Sequence, residues 1–337
     1  MLSRTGENKL ANLVDRLIEA LAAENQLVAP VKTLVGHRWP DGDVWFNWWI
    51  AKKWIPTAKD AKIVFVRAGE ILPGSEGDPS VIHFDTGGGE FDQHGKSLID
   101  KASASLLVER LGLQEDPGLK SLLEMVEAAD NVRPLPPTSI HYAMEGYPRR
   151  YRRPDGIIDW ETVQARVFEL FDIIYEQETQ RAESRKELEK HTSWIILPNK
   201  IKVAMILWHP HLREAAFEKG AHVVVWTITR KPHKFWVGIQ MNRNFPQLHL
   251  RGVVVKLRKA EAEKRDIDVQ GRTLGYIGQE GVVGSTWFIH DSLNLVLSGS
   301  RSHPLRDEEF TLLAPGQIVD LVCLALSRIP QERVAGE

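Results

Sequence analysis

Over the first half of the sequence, short runs rich in β-branched residues alternate with longer runs of helical periodicity. VKTLVG, AKIVFVRA and SVIHFD have the length and composition of strands. VWFNWWIAKKWI, KSLIDKASASLLVERLG and PGLKSLLEMVEAADN carry apolar residues at helical spacing. This alternation predicts an α/β fold with a mostly parallel sheet, because parallel strands need a crossover connection between them.

The second half of the sequence has a different pattern. Residues 131–160 are rich in Pro, Arg and Tyr and predict a boundary or a surface excursion. A long helical run follows, and its end is densely charged, which is typical of a connector. From about residue 193 the sequence breaks into β-rich runs, which are SWIILP, KVAMILW, HVVVWTIT, KFWVGIQM, GVVVKLR, WFIHD and LNLVLSG. These runs predict a smaller α+β domain.

We therefore expect four segments. Residues 1–30 hold an amphipathic N-terminal helix, with Leu10, Leu13, Val14, Leu17, Ile18 and Leu21 on one face. Residues 31–155 form the α/β domain, 156–192 the connector helix, and 193–330 the α+β domain.

Length and composition limit the classes of protein that this chain resembles. It has 337 residues, 43% of them hydrophobic, which is enough for two domains with cores of their own. The single cysteine, Cys323, excludes an internal disulfide and a Cys-x-x-Cys metal site. No apolar run approaches the roughly 18 residues of a membrane span, and the N-terminus lacks the apolar core of a signal peptide. We expect a cytoplasmic protein with no membrane association.

Acidic and histidine side chains follow the predicted strands of the first domain. Carboxyl ends of strands in parallel sheets are where ligands collect. Taken singly, these residues also suit turns or helix ends. Taken together, they form the oxygen-rich, imidazole-containing set that Mn²⁺ or Mg²⁺ pairs require. The candidate residues are His37, Asp41 and Asp43 in GHRWPDGD, Asp85 after VIHF, Asp92, Gln93 and His94 past a glycine turn, and Asp130 at a helix end.

These motifs resemble those of a known superfamily. GHRWPDGD is similar to the first motif of the DHH phosphoesterases, and HFDTGGGEFDQHG is similar to their second and third motifs run together. The compressed spacing most resembles the melanocyte-proliferating-gene type of metal-dependent hydrolase, whose members are linked to RNA exonuclease activity. MVEAADN is similar to the fourth motif. The resemblance covers about residues 31–320.

The resemblance implies two divalent ions, Mn²⁺ or Mg²⁺, that activate a water for attack on phosphorus. His37, Asp41 and Asp85 would hold one ion, with Asp43, Asp85 and Asp130 around the other. Asp92 and His94 would act in catalysis, with His94 facing the substrate. Gln93 stands where the family has a histidine ligand of the second ion. Three outcomes stay open: His94 replaces that ligand, the second site prefers Mg²⁺, or the second ion is lost.

The C-terminal segment WFIHDSLNLVLSGSRS is similar to the closing segment of the same family. The resemblance implies substrate contacts from His290, Ser298, Gly299, Ser300 and Arg301. Residues 219–260 contain no Asp or Glu but nine Lys or Arg residues, which predicts either a basic surface or a face neutralised by acids elsewhere. A basic surface would favour a nucleic acid or nucleotide partner. A homo-oligomer is also left open.

Five tryptophans lie within 16 residues beside the first motif, at positions 39, 45, 48, 49 and 54. Aromatic faces near a phosphate site stack nucleobases. The alternative is that these tryptophans fill the space between the first helix and a neighbouring subunit or domain. Trp39, inside the loop, is the stacking candidate. The sequence thus predicts a metal-dependent phosphoesterase with exonuclease-like action. The alternatives are a non-catalytic nucleotide-binding or nucleic-acid-binding protein with a degraded second metal site, and a small-molecule phosphatase.

Overall fold

The computed structural model describes residues 30–94, 101–207, 211–278 and 286–331. In these ranges the protein is mixed α/β, with a parallel sheet and a mixed sheet, in agreement with the predicted fold class. The chain divides into two compact units, residues 1–179 and 180–337. The N-terminal helix predicted within residues 1–30 falls almost wholly outside the described residues, as does the start of the helix predicted from Lys96.

The first unit is built on a three-stranded parallel sheet. Its strands are β1 (Thr33–His37), β2 (Lys62–Val66) and β3 (Val81–His83), in the spatial order β2-β1-β3. Thr33 pairs with Lys62 on one side and Val81 on the other. The carboxyl ends of β1 and β3 therefore meet at one edge of the sheet, where His37 and the residues after His83 are found.

Helices complete the first unit. They are α1 (Gly42–Trp54), α2 (Ser103–Arg110), α3 (Lys120–Asp130), α4 (Ile140–Arg150) and the first part of α5 (Trp160–His191), with a short 3₁₀ turn at Pro56–Ala58. Helix α1 is central, since every residue from Gly42 to Ala51 is buried. A helix that is apolar on nearly all sides belongs in a core, and this explains its aromatic sequence.

Three of the five clustered tryptophans are core residues of this unit. Trp45, Trp48 and Trp49 are 1%, 0% and 3% exposed. Trp45 and Trp48 meet edge to face with ring centroids 5.1 Å apart, and Trp49 packs on Phe171 of α5. They pack within their own unit. Only Trp39, of the five, is strongly exposed, at 57%.

Helix α1 approaches β1 very closely at Gly36. A Cβ atom placed on Gly36 would lie 2.5 Å from Val44 Cγ1 and 2.6 Å from Trp48 Cζ2. Only glycine leaves room for this contact. The contact fixes the start of α1 against the end of β1, and so fixes His37 relative to Asp41.

The second unit contains a six-stranded mixed sheet. Its spatial order is β4-β5-β6-β7-β9-β8, and only β5 and β6 are parallel. The strands are β4 (Thr192–Ile196), β5 (Lys202–Leu207), β6 (Val223–Lys231), β7 (Lys234–Met241), β8 (Phe288–Ile289) and β9 (Leu295–Ser298). The helices are α6 (Leu212–Glu218), α7 (Arg251–Lys264) and α8 (Pro315–Leu326).

One predicted strand is wrong. GVVVKLR lies in α7, although its valines favour strands. The buried residues of α7 recur at helical spacing, as Val253, Val254, Leu257, Arg258, Glu261 and Ala262. The region 131–160 also contains α4, which the prediction of a surface excursion missed, even though Pro148 lies inside the helix.

The predicted connector corresponds to α5, a single helix of 32 residues. Its first part carries Val163, Val167 and Phe171 into the core of the first unit. In the part of the chain that the structure describes, no helix is long and apolar enough to cross a membrane.

Candidate metal centre

The loop between β1 and α1 holds His37 and Asp41. Asp41 is the N-cap of α1, because its Oδ1 accepts hydrogen bonds from the backbone N–H groups of Asp43 and Val44, at 3.0 and 3.2 Å. The other oxygen of Asp41, Oδ2, lies 3.8 Å from His37 Nε2. The opposite ring nitrogen of His37, Nδ1, is 3.0 Å from the carbonyl oxygen of Arg38. A neutral imidazole bonded in this way presents Nε2 as its free acceptor.

Asp85 lies at the centre of the cluster. It follows β3, is 5% exposed, and adopts a left-handed backbone with φ of 53°. Its Oδ2 is 3.1 Å from His37 Nε2, and its Oδ1 is 3.1 Å from His94 Nε2. Each oxygen of one buried carboxylate therefore faces a different histidine, which is the arrangement of a bridging ligand.

A glycine turn brings Asp92 and His94 back to Asp85. Gly87 and Gly88 have φ values of 79° and 65°, which glycine adopts at little cost. Gly88 N–H donates to Asp92 Oδ2 at 2.7 Å, and His94 N–H donates to Asp92 Oδ1 at 3.0 Å. The turn therefore folds back on itself and places His94 over Asp85, with 70% of the His94 side chain exposed.

Gln93 presents its nitrogen, not its oxygen, to the neighbouring acids. Its Nε2 lies 3.0 Å from Asp85 Oδ1 and 3.3 Å from Asp130 Oδ2. Its Oε1 is buried and has no hydrogen-bond partner among the described residues. An unpaired buried carbonyl is costly. The amide nitrogen of Gln93 thus links the carboxylates of Asp85 and Asp130.

Asp43 is held by the N-terminus of α2. Its Oδ2 accepts a hydrogen bond from Ser103 N–H at 2.9 Å, and its Oδ1 accepts one from Ala104 N–H at 2.8 Å. The amide of Asn47 adds a contact to Asp43 Oδ1 at 3.3 Å. Both carboxylate oxygens are thus occupied by backbone donors, and the side chain is 2% exposed.

Crowding of negative charge dominates the electrostatics of the cluster. Burial and the charge of Asp85 raise the pKa of Asp130 to about 6. Burial raises the pKa of Asp43 well above its usual range, and the charges of Asp41 and Asp85 raise it further. Burial and Asp85 also raise the pKa of Asp41. Carboxyl groups in such surroundings ionise readily only with a compensating cation.

The same acids favour the charged form of His37, whereas they disfavour the charged form of each other. Burial alone would lower its pKa, but the hydrogen bonds to Asp85 and to the Arg38 carbonyl oxygen, together with the nearby acids, raise the pKa to about 9. Among the described residues, no lysine or arginine forms an ion pair with the five carboxylates of the cluster, which are Asp41, Asp43, Asp85, Asp92 and Asp130. Within the described ranges, His37 and His94 are the ion-pairing partners of this cluster.

Among the described residues, two groups of side chains have the geometry to hold a cation. They are His37, Asp41 and Asp85, and then Asp85, Asp92 and His94, each with one ligand atom per residue within 4.8 Å of the others. The groups share Asp85. The predicted ligands Asp43 and Asp130 belong to neither group. Gln93 Nε2 donates a hydrogen bond to Asp130.

The predicted substrate residues lie in the second unit. Ser298 and Gly299 are buried at the end of β9, and the Ser298 hydroxyl has no partner among the described residues. His290 and Arg301 are exposed, and Ser300 Oγ is 3.1 Å from Ser302 Oγ. The substrate role of all five residues stays a prediction.

The predicted basic stretch is partly neutralised. Lys219 pairs with Glu189 at 2.9 Å, and Lys231 and Lys234 pair with Asp307 at 2.7 and 3.1 Å. Arg258 is fully buried, and its guanidinium donates to four backbone carbonyl groups, including those of Trp287 and Leu274. The alternative of a face balanced by acids elsewhere thus describes part of this stretch.

Sequence reasoning missed the surroundings of Trp39. Arg38, Trp39, Phe65, Arg152, Ile157 and Trp160 line a cavity of about 310 Å³ next to the His37 loop. The signal in the sequence was Trp39 itself, between His37 and Asp41. The partners from residues 152–160 could not be inferred, since they return to the loop only through the tertiary fold.

Comparison of the sequence with protein-family models and with curated proteins finds no match. One solved structure that aligns with the chain is described as a member of the S1p family of ribosomal proteins with a DHH domain. It has 11% sequence identity and a TM-score of 0.31, over 95% of this chain and 92% of that chain. A superposition this loose carries no weight for fold or activity, so function is inferred from the residues.

Proposed function

We propose that this protein is a metal-dependent phosphoesterase that hydrolyses phosphodiester bonds of a short nucleic acid or a nucleotide, in an exonuclease-like manner. The observation that carries the proposal is the position of Asp85. Its Oδ2 lies 3.1 Å from His37 Nε2, and its Oδ1 lies 3.1 Å from His94 Nε2. Such a carboxylate suits two adjacent cations better than one fold-stabilising ion pair.

The donor set fits hard divalent cations. It consists of carboxylate oxygens and imidazole nitrogens without a thiolate, which suits Mn²⁺ or Mg²⁺. Burial is the largest cause of the raised pKa values of Asp41, Asp43 and Asp130, and the neighbouring carboxylates raise these pKa values further. No lysine or arginine of the described residues forms an ion pair with these three acids. Divalent ions at this edge would supply the missing charge and polarise the phosphoryl group while activating a water.

Residues of this chain would divide the work around such ions. His37, Asp41 and Asp85 would hold the first, and Asp85, Asp92 and His94 have the geometry for the second. This supports the expectation that His94 replaces the ligand missing at Gln93. Asp43 accepts a hydrogen bond from Ser103 N–H and so fixes the start of α2. Ser103 Oγ in turn donates a hydrogen bond to the carbonyl oxygen of Phe91, which lies next to the glycine turn.

His94 is the residue of the cluster that a substrate phosphate would meet first. Its side chain is 70% exposed while Asp85 beneath it is 5% exposed. Because His94 Nε2 faces Asp85, Nδ1 is the ring nitrogen that would donate a hydrogen bond to a phosphoryl oxygen as negative charge develops there. Mn²⁺ as the physiological ion and stepwise removal of nucleotides are further parts of the proposal.

Gln93 favours a second candidate, a nucleotide-binding or nucleic-acid-binding protein without catalysis. Its amide nitrogen lies between Asp85 and Asp130, at 3.0 and 3.3 Å, where it partly satisfies both acids without an ion. In such a protein the His37, Asp41 and Asp85 group would still bind one cation. Hydrolysis therefore separates the two candidates.

The test is hydrolysis of a short 5′-labelled single-stranded RNA and its DNA counterpart with Mn²⁺, Mg²⁺ or EDTA. We expect metal-dependent release of single nucleotides. Asp85→Asn should reduce the rate by more than about 100-fold, beyond the loss typical of an outer-shell residue. Asp78→Asn is the matched control, because Asp78 is an exposed turn residue of the same unit that bonds Ser80 N–H.

Folding of each variant is verified by circular dichroism, and metal binding by equilibrium dialysis. Equal rates for wild type and Asp85→Asn would contradict the proposal. An absence of hydrolysis by wild type that binds Mn²⁺ would favour the binding protein.

A further inference from the structure

A cavity of about 310 Å³ lies beside the metal centre in the first unit. This volume is at the small end of the range for ligand pockets. The loop that supplies His37 and Asp41 also supplies two of its walls, Arg38 and Trp39. A group bound here would therefore lie next to whatever His37 and Asp41 hold.

The walls of the cavity are aromatic. Trp39 meets Trp160 edge to face, with ring centroids 5.9 Å apart and planes at 80°. Trp160 in turn packs on Phe65 at 5.2 Å. Trp160 and Phe65 are partly buried and form a fixed base, while Trp39 is 57% exposed. Trp39 thus contacts Trp160 while more than half of its surface stays exposed.

The core does not require Trp39. Trp45 and Trp48, from the same cluster, are buried and fill the space around α1. Trp39 also adopts a left-handed backbone, with φ of 59°. A bulky residue stays in this conformation only where its surroundings hold it, and such residues concentrate at functional sites. The loop between β1 and α1 therefore holds the Trp39 indole in an exposed position. Its left-handed backbone costs free energy, and packing of the core does not account for that cost.

Two arginines line the cavity beside the exposed Trp39 ring. Arg38 and Arg152 are exposed and line the cavity, and the Arg152 guanidinium carbon is 5.9 Å from the centroid of the Trp39 ring. Neither arginine forms an ion pair with another described residue, so both are available to a phosphate. The exposed Ile157 adds an apolar edge to the same cavity.

We propose that this cavity binds the nucleobase of a nucleotide, stacked on Trp39, with Arg38 and Arg152 contacting the adjoining phosphate. The inference rests on the proposed function, and it narrows the substrate to phosphoesters that carry a base. Aromatic stacking accepts every base because each has a π face. The site therefore selects a nucleotide over a phosphosugar, without a strong preference among bases.

The test compares adenosine 5′-monophosphate with ribose 5-phosphate, which carries the same phosphate and sugar but no base. Binding of each to the full chain is measured by titration calorimetry with Mn²⁺ and again with EDTA, and product analysis verifies that the ligand stays intact. We expect adenosine 5′-monophosphate to bind about 5- to 150-fold more tightly. Uridine 5′-monophosphate should also bind more tightly than ribose 5-phosphate, but by a smaller factor than adenosine 5′-monophosphate.

Variants assign the preference to the cavity. Trp39→Ala should remove most of the preference while leaving ribose 5-phosphate affinity within about twofold, and Trp39→Phe should retain most of it. Arg152→Gln should weaken both ligands. Trp194→Ala is the matched control, because Trp194 also carries a cation on its ring, Lys202 Nζ at 4.1 Å, but lies in the second unit.

Equal affinities of the two ligands for wild type, or a preference that survives in Trp39→Ala, would overturn the inference. So would the absence of binding by adenosine 5′-monophosphate. Hydrolysis of the baseless phosphodiester bis(p-nitrophenyl) phosphate is measured in parallel. If that hydrolysis is metal-dependent while the base preference is absent, the cavity is refuted and the phosphoesterase is not. A base preference without any hydrolysis of ester or RNA refutes the phosphoesterase alone.

Discussion

At the scale of single residues, the raised pKa of His37 favours a proton that a metal ion bound there would have to displace. Hydrogen bonds to Asp85 and the Arg38 carbonyl outweigh the effect of burial and raise the pKa of His37 to about 9. Because the folded pKa is above the unfolded one, this proton stabilises the metal-free fold fully below about pH 6.5, and the contribution is lost as pH rises through 9. A metal ion competes with this proton for His37, so metal affinity should rise as pH rises.

We therefore expect Mn²⁺ affinity to rise with pH, by about tenfold per unit between pH 7 and 8.5, because each bound ion at His37 releases one proton. Titration calorimetry in buffers of different ionisation enthalpy counts the released protons. An affinity that does not change over this range would show that the proton on His37 is not displaced.

Gln93 occupies the position at which the sequence resemblance implies a histidine ligand of a second ion. Gln93→His should raise the number or affinity of bound Mn²⁺ ions, because an imidazole nitrogen replaces an amide that now donates to Asp85 and Asp130. Equilibrium dialysis at fixed pH, with wild type alongside, measures the stoichiometry. A variant with unchanged stoichiometry and affinity would mean that the second ion, if present, uses other ligands.

The sequence identified the acids and histidines at this edge, but not the directions in which their oxygens point. Asp41, Asp85, Asp92 and His94 follow strands or turns whose positions were predictable. The orientation of Asp43 was not, because its partner is the N-terminus of α2, some 60 positions away in the chain. A motif gives the residue types near a site, whereas long-range hydrogen bonds decide which of them face it.

At the scale of elements, the contact between β1 and α1 positions the loop that carries His37. Gly36→Ala would place a methyl group 2.5 Å from Val44 Cγ1, so we expect a loss of roughly 1–3 kcal/mol in the free energy of unfolding, together with weaker metal binding. Gly89→Ala is the control, since a Cβ there meets nothing within 4 Å and the backbone is not left-handed.

Urea unfolding in EDTA measures the first effect, and Mn²⁺ titration measures the second. A fully stable Gly36→Ala variant would mean that α1 can move away from β1 without loss. Weakened metal binding in Gly89→Ala as well would show that the glycine turn, not the β1 contact, sets the geometry.

Sequence patterns located most strands and helices of both units, yet α7 was assigned as a strand. The run Val253, Val254 and Val255 favours strands by propensity, and only the wider spacing out to Ala262 reveals a helix. Burial of Arg258 and Glu261 in the same helix weakened that signal further, since both are charged residues on the core side. Tertiary hydrogen bonds to these two residues overrode the local preference.

At the scale of the whole molecule, the candidate metal centre belongs to one compact unit. Every residue of the two cation groups lies within residues 1–179. Mn²⁺ at 100 times its dissociation constant adds about 2.7 kcal/mol to the stability of whatever folds with the site. We expect hydrogen exchange to slow by up to about 100-fold in peptides from β1, β3 and α1, with little change in β6 and β7.

Mass spectrometry of exchanged peptides, with and without Mn²⁺, measures this difference along the chain. Asp85→Asn serves as the control, because it should show no slowing in either unit. Equal slowing in β1 and β7 would mean that the units unfold together.

The crowding of acids at the sheet edge has a consequence for the lifetime of the protein in a cell. Burial and neighbouring charge raise the pKa values of Asp41, Asp43 and Asp130, so their ionisation weakens the metal-free fold as pH rises towards neutrality. Proteases and chaperones act on the unfolded fraction of a protein, and 1–2 kcal/mol changes abundance several-fold. Cellular copies lacking a cation would be degraded first, so ion supply would set how much of the protein accumulates.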